Sequence, residues 1–455
     1  MSLSYRDFFI RYAGQAKVFR LPKFSDLRFG ERFFLYLLSG DLTSAQNSAE
    51  LLRDSDGWAH FVEIAALNGF CTLIAERLVQ IRPAFATQPS DFEKSVRVLQ
   101  RLSMSEIVQA SAFDDAFSYL LNRHKDQLRS IIWCKGSVLR QTIYSAPEHR
   151  MCNDFDLYVA PDSLQAVLAT FLQSGFELIK HVPAFCNQLG VGPVSDLSDL
   201  LLVPTNDLVS RSAMTLCHPT YPDVDIKLTP LDRGLRLREE ERFRSTCDQI
   251  ELYGYNVSLP NKADHMLVCA INCVKDGLAS WKSLYDVHLM AAHLAGEDWR
   301  DVVRRAEIEG LSTDLWICFS YAHEMLSTPI PDDVLQKMSP KRRVALRKLL
   351  HLSTSYEFSW NTNSLFGLCG NAIAADDMAR KLQVIRSLFA PSREFLRAYY
   401  AERVPVNLRT PFILYFLHLA VVIMPSPLIR RTLGDSLWPL ATQYVALENA
   451  CRSRP

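Results

Sequence analysis

The sequence predicts an α+β fold: a small mixed-sheet core of α/β type between large all-helical N- and C-terminal regions. Three observations predict it. From about residue 26 to 123 apolar residues recur every three or four positions, from Ser130 short β-type runs alternate with helical ones, and beyond Pro260 the helical period returns. A chain of 455 residues is long enough for two or three domains. The divisions expected are a helical region over residues 1–125, a core over 126–259 with an insertion at 182–210, a helical domain over 260–352, and a loop with a helical segment over 353–455.

In the N-terminal region the run from Gly57 to Leu67, continuing to Leu78, keeps apolar residues on one helical face. Arg82-Pro83 and Gln88-Pro89-Ser90 interrupt the pattern, and Asp91 reads as the cap of a long helix passing through Phe113 and Leu120. In the core, strands are expected at residues 130–134, 155–159 and 176–179, with helices at 138–144 and 163–173 between them. Residues 182–210, rich in Pro, Gly and Asp, read as an inserted lid or loop. Strands at 213–217 and 224–228 follow, joined by the turn-forming His218-Pro219-Thr220-Tyr221-Pro222-Asp223. Helices are then expected at 263–274, 282–293, 299–306 and 313–325. Pro329-Ile330-Pro331 and Ser339-Pro340 break that array, the basic helix from Lys341 to Leu350 reads as a solvated face, and residues 353–375 as a long loop.

Fifty basic and fifty acidic side chains cancel to zero, so the chain lacks the basic footprint of a general nucleic-acid binder. The eleven scattered cysteines form no CxxC pair and read as reduced cytoplasmic thiols; Cys269 and Cys273 share a helix face but have no second ligand pair, so packing is preferred to zinc. No signal-peptide pattern opens the chain. The apolar segment 412–424 is too short to span a bilayer; it reads as a core helix, with peripheral contact at a membrane surface as the alternative.

The chemistry-bearing residues cluster in the core. Gly136-Ser137 ends the first strand where backbone N–H groups can meet a phosphate, with Gly136 allowing close approach. Asp154 and Asp156 stand two apart on a strand and so face the same side, where they can share divalent cations. Asp225 has the parity of Lys227 on a later strand; if that strand lies beside the first pair, it supplies a third carboxylate, with Asp223 ranked second. Lys135 and Arg150 flank the acidic residues. Each is read as a triphosphate contact, or else as a solvent-facing strand-end lysine and a salt bridge orienting the Asp154 loop. His149 and His218 are read as loop histidines without a chemical role, Trp281 and Trp316 as core residues, and Asp286 as a helix contact.

The order Gly-Ser, helix, Asp-x-Asp, later Asp resembles the DNA polymerase beta-type nucleotidyltransferase superfamily. A closer similarity is to an uncharacterised bacterial nucleotidyltransferase family in which a Lys-Gly turn precedes an Arg-x3-Asp-x-Asp-Leu segment and a helix ending in Gly-Tyr or Gly-Phe. Here these are Lys135-Gly136, the segment from Arg150 to Leu157, and Gly175-Phe176. The resemblance extends from about Trp58 to about Pro331, through Trp281 and Leu284-Tyr285-Asp286. It implies a cytoplasmic enzyme that moves a nucleoside monophosphate from an NTP such as ATP to a hydroxyl acceptor and releases pyrophosphate. Mg²⁺ or Mn²⁺ would be held by Asp154, Asp156 and Asp225, and the nucleotide by Gly136, Ser137, Lys135 and Arg150. The acceptor would be a small molecule, a peptide or a protein. The alternatives are an inactive binding or regulatory protein of the same fold and a toxin-like tRNA nucleotidyltransferase. The sequence departs from the family at Asn272, where a histidine is frequent, and at Asp225-Ile226-Lys227, where the motif usually ends Leu-His. The insertion at 182–210 is also longer than usual.

Overall fold

The computed structural model describes residues 24–48, 55–82, 89–178, 214–231, 237–275, 278, 280–340 and 375–382. The insertion at 182–210, the basic segment 341–350, the loop at 353–375 up to residue 374 and the apolar segment 412–424 lie outside the described residues.

The N-terminal helical pattern yields α1 (Phe29–Ser39), α2 (Leu42–Ser48), α3 (Ser55–Leu67), α4 (Cys71–Ile81) and α5 (Pro89–Arg123). Because α5 already starts at Pro89, Asp91 lies inside its first turn and does not cap it. The first turn of α4 is closed by a residue far away in sequence. The Glu106 carboxylate accepts the Cys71 and Thr72 amides at 3.0 and 2.8 Å, satisfying N–H groups that a helix start leaves without partners.

The core contains β1 (Ile131–Cys134), α6 (Gly136–Thr142), β2 (Asp154–Val159), α7 (Leu164–Gln173), β3 (Glu177–Leu178), β4 (Met214–Cys217), β5 (Asp223–Lys227), α8 (Glu240–Ser245), β6 (Asp248–Leu252) and β7 (Tyr255–Leu259). The strands form one sheet in the order β3-β4-β5-β2-β1-β7-β6. It is mixed: β2 runs parallel to β5 and β1 parallel to β7, while the other pairs are antiparallel. The fold is therefore α+β, as expected.

Sequence reasoning passed over α8 and the β6–β7 hairpin. The reason is local: Asp248-Gln249-Ile250-Glu251-Leu252 is a polar strand at the sheet edge, without the apolar run that marks an interior strand. Its signal was the turn. Leu252 pairs with Tyr255 across Tyr253-Gly254, both with positive φ (50° and 81°), which is the two-residue hairpin geometry that favours glycine.

The two sheet faces have different neighbours. Trp133, Phe155, Leu157, Val224 and Ile226 form one apolar cluster with Phe113 and Phe117 of α5 and Phe171 of α7. Phe113 stacks on Phe155 with ring centroids 4.3 Å apart. Ile132, Cys134 and Tyr158, of opposite parity, belong to a second cluster that takes in Phe33, Trp58, Met266, Leu284 and Trp316. This second cluster brings in the later helices, α9 (Lys262–Lys275), α10 (Trp281–Ala292), α11 (Gly296–Glu309), α12 (Ser312–Leu326) and α13 (Asp332–Met338). All four helices expected between residues 263 and 325 are present; three are lengthened by one to three residues at each end, and the one expected at 282–293 is shifted by one residue to 281–292. Cys269 and Cys273 are buried free thiols in that cluster. Among the described residues, no helix is long and apolar enough to cross a membrane.

Candidate active site

The site forms where β1 ends and β2 begins. Lys135 leaves β1 with φ +55° and ψ −139°, a conformation that bulky residues rarely adopt and that tends to occur where function requires it. Backbone and side-chain contacts hold it. Its amide N–H donates to Nε2 of His265 at 3.1 Å, its carbonyl accepts the Leu139 amide at 2.9 Å, and its Nζ reaches Oδ1 of Asp156 at 2.8 Å. An accepting Nε2 requires a neutral imidazole with its proton on Nδ1. Burial lowers the His265 pKa to about 4 and so keeps that form, against the opposing charge of Asp286.

Gly136 is the first residue of α6, so the expected Gly-Ser turn is the helix's opening turn. A Cβ on Gly136 would lie 3.0 Å from both Nη2 of Arg150 and Sγ of Cys152, so glycine is needed for packing against the segment that leads into β2. Ser137 is buried and its hydroxyl donates to the Cys134 carbonyl at 3.2 Å. The phosphate contact expected of that hydroxyl would require it to leave this partner.

The parallel register of β2 and β5 sets Asp154 opposite Asp223 and Asp156 opposite Asp225. On these strands the four carboxylates share one sheet face. Asp225 also accepts the hydroxyl hydrogen bond of Thr215 on β4. Asp156 is buried and bridged by two lysines, Lys135 at 2.8 Å and Lys227 at 3.2 Å. Burial alone would raise its pKa; the two ammonium groups outweigh this and bring it to about 2. Asp154 is the exposed member at the mouth. Partial desolvation, then the charges of Asp156 and Asp225, hold its carboxyl above the usual range.

Arg150 is placed differently from a phosphate ligand. Its Nε and Nη2 bind the two oxygens of Asp286 at 2.9 and 2.8 Å, and Nη1 donates to the Met151 carbonyl at 2.7 Å. The guanidinium is buried and orients the segment before Asp154. Lys282 of α10 donates to the same carbonyl at 3.3 Å and also feels the Asp154 charge. Burial, and then Arg150, lower its pKa.

The structure thus brings Lys135, Gly136, Asp154, Asp156 and Asp225 together and turns Arg150 and the Ser137 hydroxyl inward. Asp154, Asp156 and Asp225 offer the hard oxygen donors that Mg²⁺ or Mn²⁺ takes, and the repulsion that adds to desolvation in raising Asp154 is what a divalent cation would relieve. Among the described residues, no group of three His, Cys, Asp or Glu side chains is gathered tightly enough to hold a metal ion. Mg²⁺ ordinarily completes its shell with substrate phosphates and water.

A family model described as an uncharacterised nucleotidyltransferase matches residues 54–327. The chain belongs to this family. The match covers more than half of the sequence and includes every site element above, so a transferase role of the nucleotidyltransferase kind follows. No curated protein matches it.

Sequence reasoning missed three contributors to the candidate site of this nucleotidyltransferase: His265, Lys282 and Thr215. Only Thr215 carried a local signal, standing on a strand expected beside that of Asp225. His265 and Lys282 reach the site because the helices after Pro260 pack there. His149 and His218 stand apart from the acidic face. His149 lies between Ser145 and Glu76, and His218 stacks on Tyr221.

Proposed function

We propose that the protein is a metal-dependent nucleotidyltransferase that moves a nucleoside monophosphate from an NTP to a hydroxyl acceptor and releases pyrophosphate. The observation that carries this reading is the β2–β5 register, which aligns Asp225 with Asp156 and leaves Asp154 on the same face beside the Lys135-Gly136 turn. In-line transfer builds charge on the attacking and leaving oxygens, and carboxylate-held Mg²⁺ or Mn²⁺ supplies the compensating charge when bound. Asp154 and Asp156 would hold the metal, with Asp225 completing the acceptor side. The N–H groups opening α6 would meet the phosphates, and Lys135 would balance their charge. Arg150, tied to Asp286, serves this reading as a positioning residue.

The acceptor class is a small molecule, a peptide or a protein, and the neutral net charge weighs against a tRNA end. A cytoplasmic setting belongs to the same reading, supported by the free thiols of the described cysteines. The ion pairs of Lys135 and Lys227 with Asp156 favour a second reading, a nucleotide-binding protein of this fold without turnover.

Incubating the protein with each labelled NTP, a cell extract and Mg²⁺ or Mn²⁺ separates the two. Transfer of label with pyrophosphate release is expected, together with its loss in Asp154→Ala. Nucleotide binding without any transfer would favour the second reading. Unchanged turnover in both Asp154→Ala and Asp156→Ala would falsify the assignment of the site.

A further inference from the structure

Lys227 lies on the acidic face, the proposed chemistry does not use it, and it is buried against the centre of that face. It follows Asp225 by two positions on β5, so it shares that residue's face, and its Nζ lies 3.2 Å from the same Asp156 oxygen that Lys135 binds at 2.8 Å. Two ammonium groups on one buried carboxylate oxygen occupy the position a cation ligand would take. A divalent ion arriving there alone would meet two positive charges at close range, in surroundings where water screens them poorly.

We propose that Lys135 and Lys227 form a clamp on Asp156 that makes metal binding depend on nucleotide, the lysines moving onto the triphosphate as the metal takes the carboxylate. The inference rests on the nucleotidyl-transfer reading of this site and adds an order of binding to it. The charge count is conserved in the exchange: the polyphosphate brings the negative oxygens that both ammonium groups need once Asp156 is given up. Metal and nucleotide therefore bind with positive coupling, and the coupling is reciprocal. Lys227 is the side chain to vary, because the Lys135 backbone also holds His265 and the start of α6, which a substitution there would disturb.

The test measures Mn²⁺ binding to the full chain by the loss of the free-ion EPR signal, with and without α,β-methylene NTPs that bind but cannot transfer. Wild-type protein is expected to bind Mn²⁺ weakly alone and to bind Mn²⁺ and nucleotide together. Lys227→Met should bind Mn²⁺ alone at least about tenfold more tightly, because one close positive charge is gone, and should bind the Mn²⁺–nucleotide pair less tightly than wild type. Lys227→Arg, which keeps the charge, should behave like wild type toward Mn²⁺ alone. Should Lys227→Met fail to fold by thermal melting, Lys227→Gln carries the same comparison. If the neutral variant binds Mn²⁺ alone no more tightly than wild type while wild type does bind Mn²⁺ with nucleotide, the clamp is overturned and the transfer reading stands. If wild type binds no nucleotide with Mn²⁺, the transfer reading fails and the clamp fails with it.

Discussion

Arg150 holds both oxygens of Asp286, Nε at 2.9 Å and Nη2 at 2.8 Å, across 136 residues of sequence. Tyr144 donates its hydroxyl to the same carboxylate at 2.7 Å, and all three residues are buried. The pair fastens the segment entering β2 to α10. Removing one partner would leave the other as an uncompensated buried charge, which costs about 3–5 kcal/mol. Asp286→Ala is expected to lose stability on that scale in urea titration. The double variant Arg150→Met with Asp286→Leu should lose clearly less, since neither charge is then stranded.

The two carboxylates of β2 should respond oppositely to neutralisation. Asp154 is exposed, and partial desolvation followed by neighbouring negative charges raises its pKa, so Asp154→Asn removes repulsion; solvent screening keeps the stability change within about 1 kcal/mol. Asp156→Asn instead strands Lys135 and Lys227 in a buried place and should lower the denaturation midpoint. Both variants should lose transfer activity by about a thousandfold or more, if each carboxylate binds the metal. Urea midpoints and pyrophosphate release, measured on the same preparations, check the pair.

Gly136→Ala tests the contact between the opening turn of α6 and the segment before β2. The added methyl would meet Arg150 and Cys152 at 3.0 Å, and Arg150 cannot yield without disturbing Asp286. A loss of about 1–3 kcal/mol is expected from such overpacking. A larger fall in kcat than in nucleotide affinity would show that the turn's position matters most in the transfer step.

Acid should destabilise the fold before it protonates Asp156. Burial, the largest cause in each case, lowers the pKa of His124, His265 and His288 to about 4, so the folded state keeps them neutral. The unfolded chain binds their protons first, near the ordinary value of 6.5, so stability is complete above 6.5 and falls as pH drops toward 4. The Asp156 contribution is lost only between its ordinary 3.8 and about 2. A thermal midpoint at least about 5 °C lower at pH 4.5 than at pH 7 is expected. His124→Leu should reduce that fall, because it has no proton to gain.

Much of the site was legible because its signals are local. Alternation along a strand requires Asp154 and Asp156 to share a face, and likewise Asp225 and Lys227, whatever surrounds them. The helices after Pro260 were visible through their 3.6-residue period. The β6–β7 hairpin was obscured by its polar edge strand, and Arg150 was ambiguous because a buried arginine beside an acidic motif suits a phosphate as well as a distant carboxylate. The buried ionic group at Arg305, with Asp264 at 2.7 Å, Glu309 at 3.1 Å and Arg380 joining Glu309 at 2.9 Å, left no trace in the sequence pattern.

The sequence by itself determined the order of elements apart from α8 and the β6–β7 hairpin, the faces on which the aspartates lie and the family to which the chain belongs. These follow from periods of two and 3.6 residues and from motif spacing, which neighbouring residues fix among themselves. Only the tertiary structure decided that β5 lies parallel to β2 with Asp225 beside Asp156, that Asp286 takes Arg150, and that two lysines close on one carboxylate. Those pairings join residues tens to more than a hundred positions apart, and they exist because burying two apolar sheet faces admits one arrangement of strands and helices, to which the charged side chains then conform.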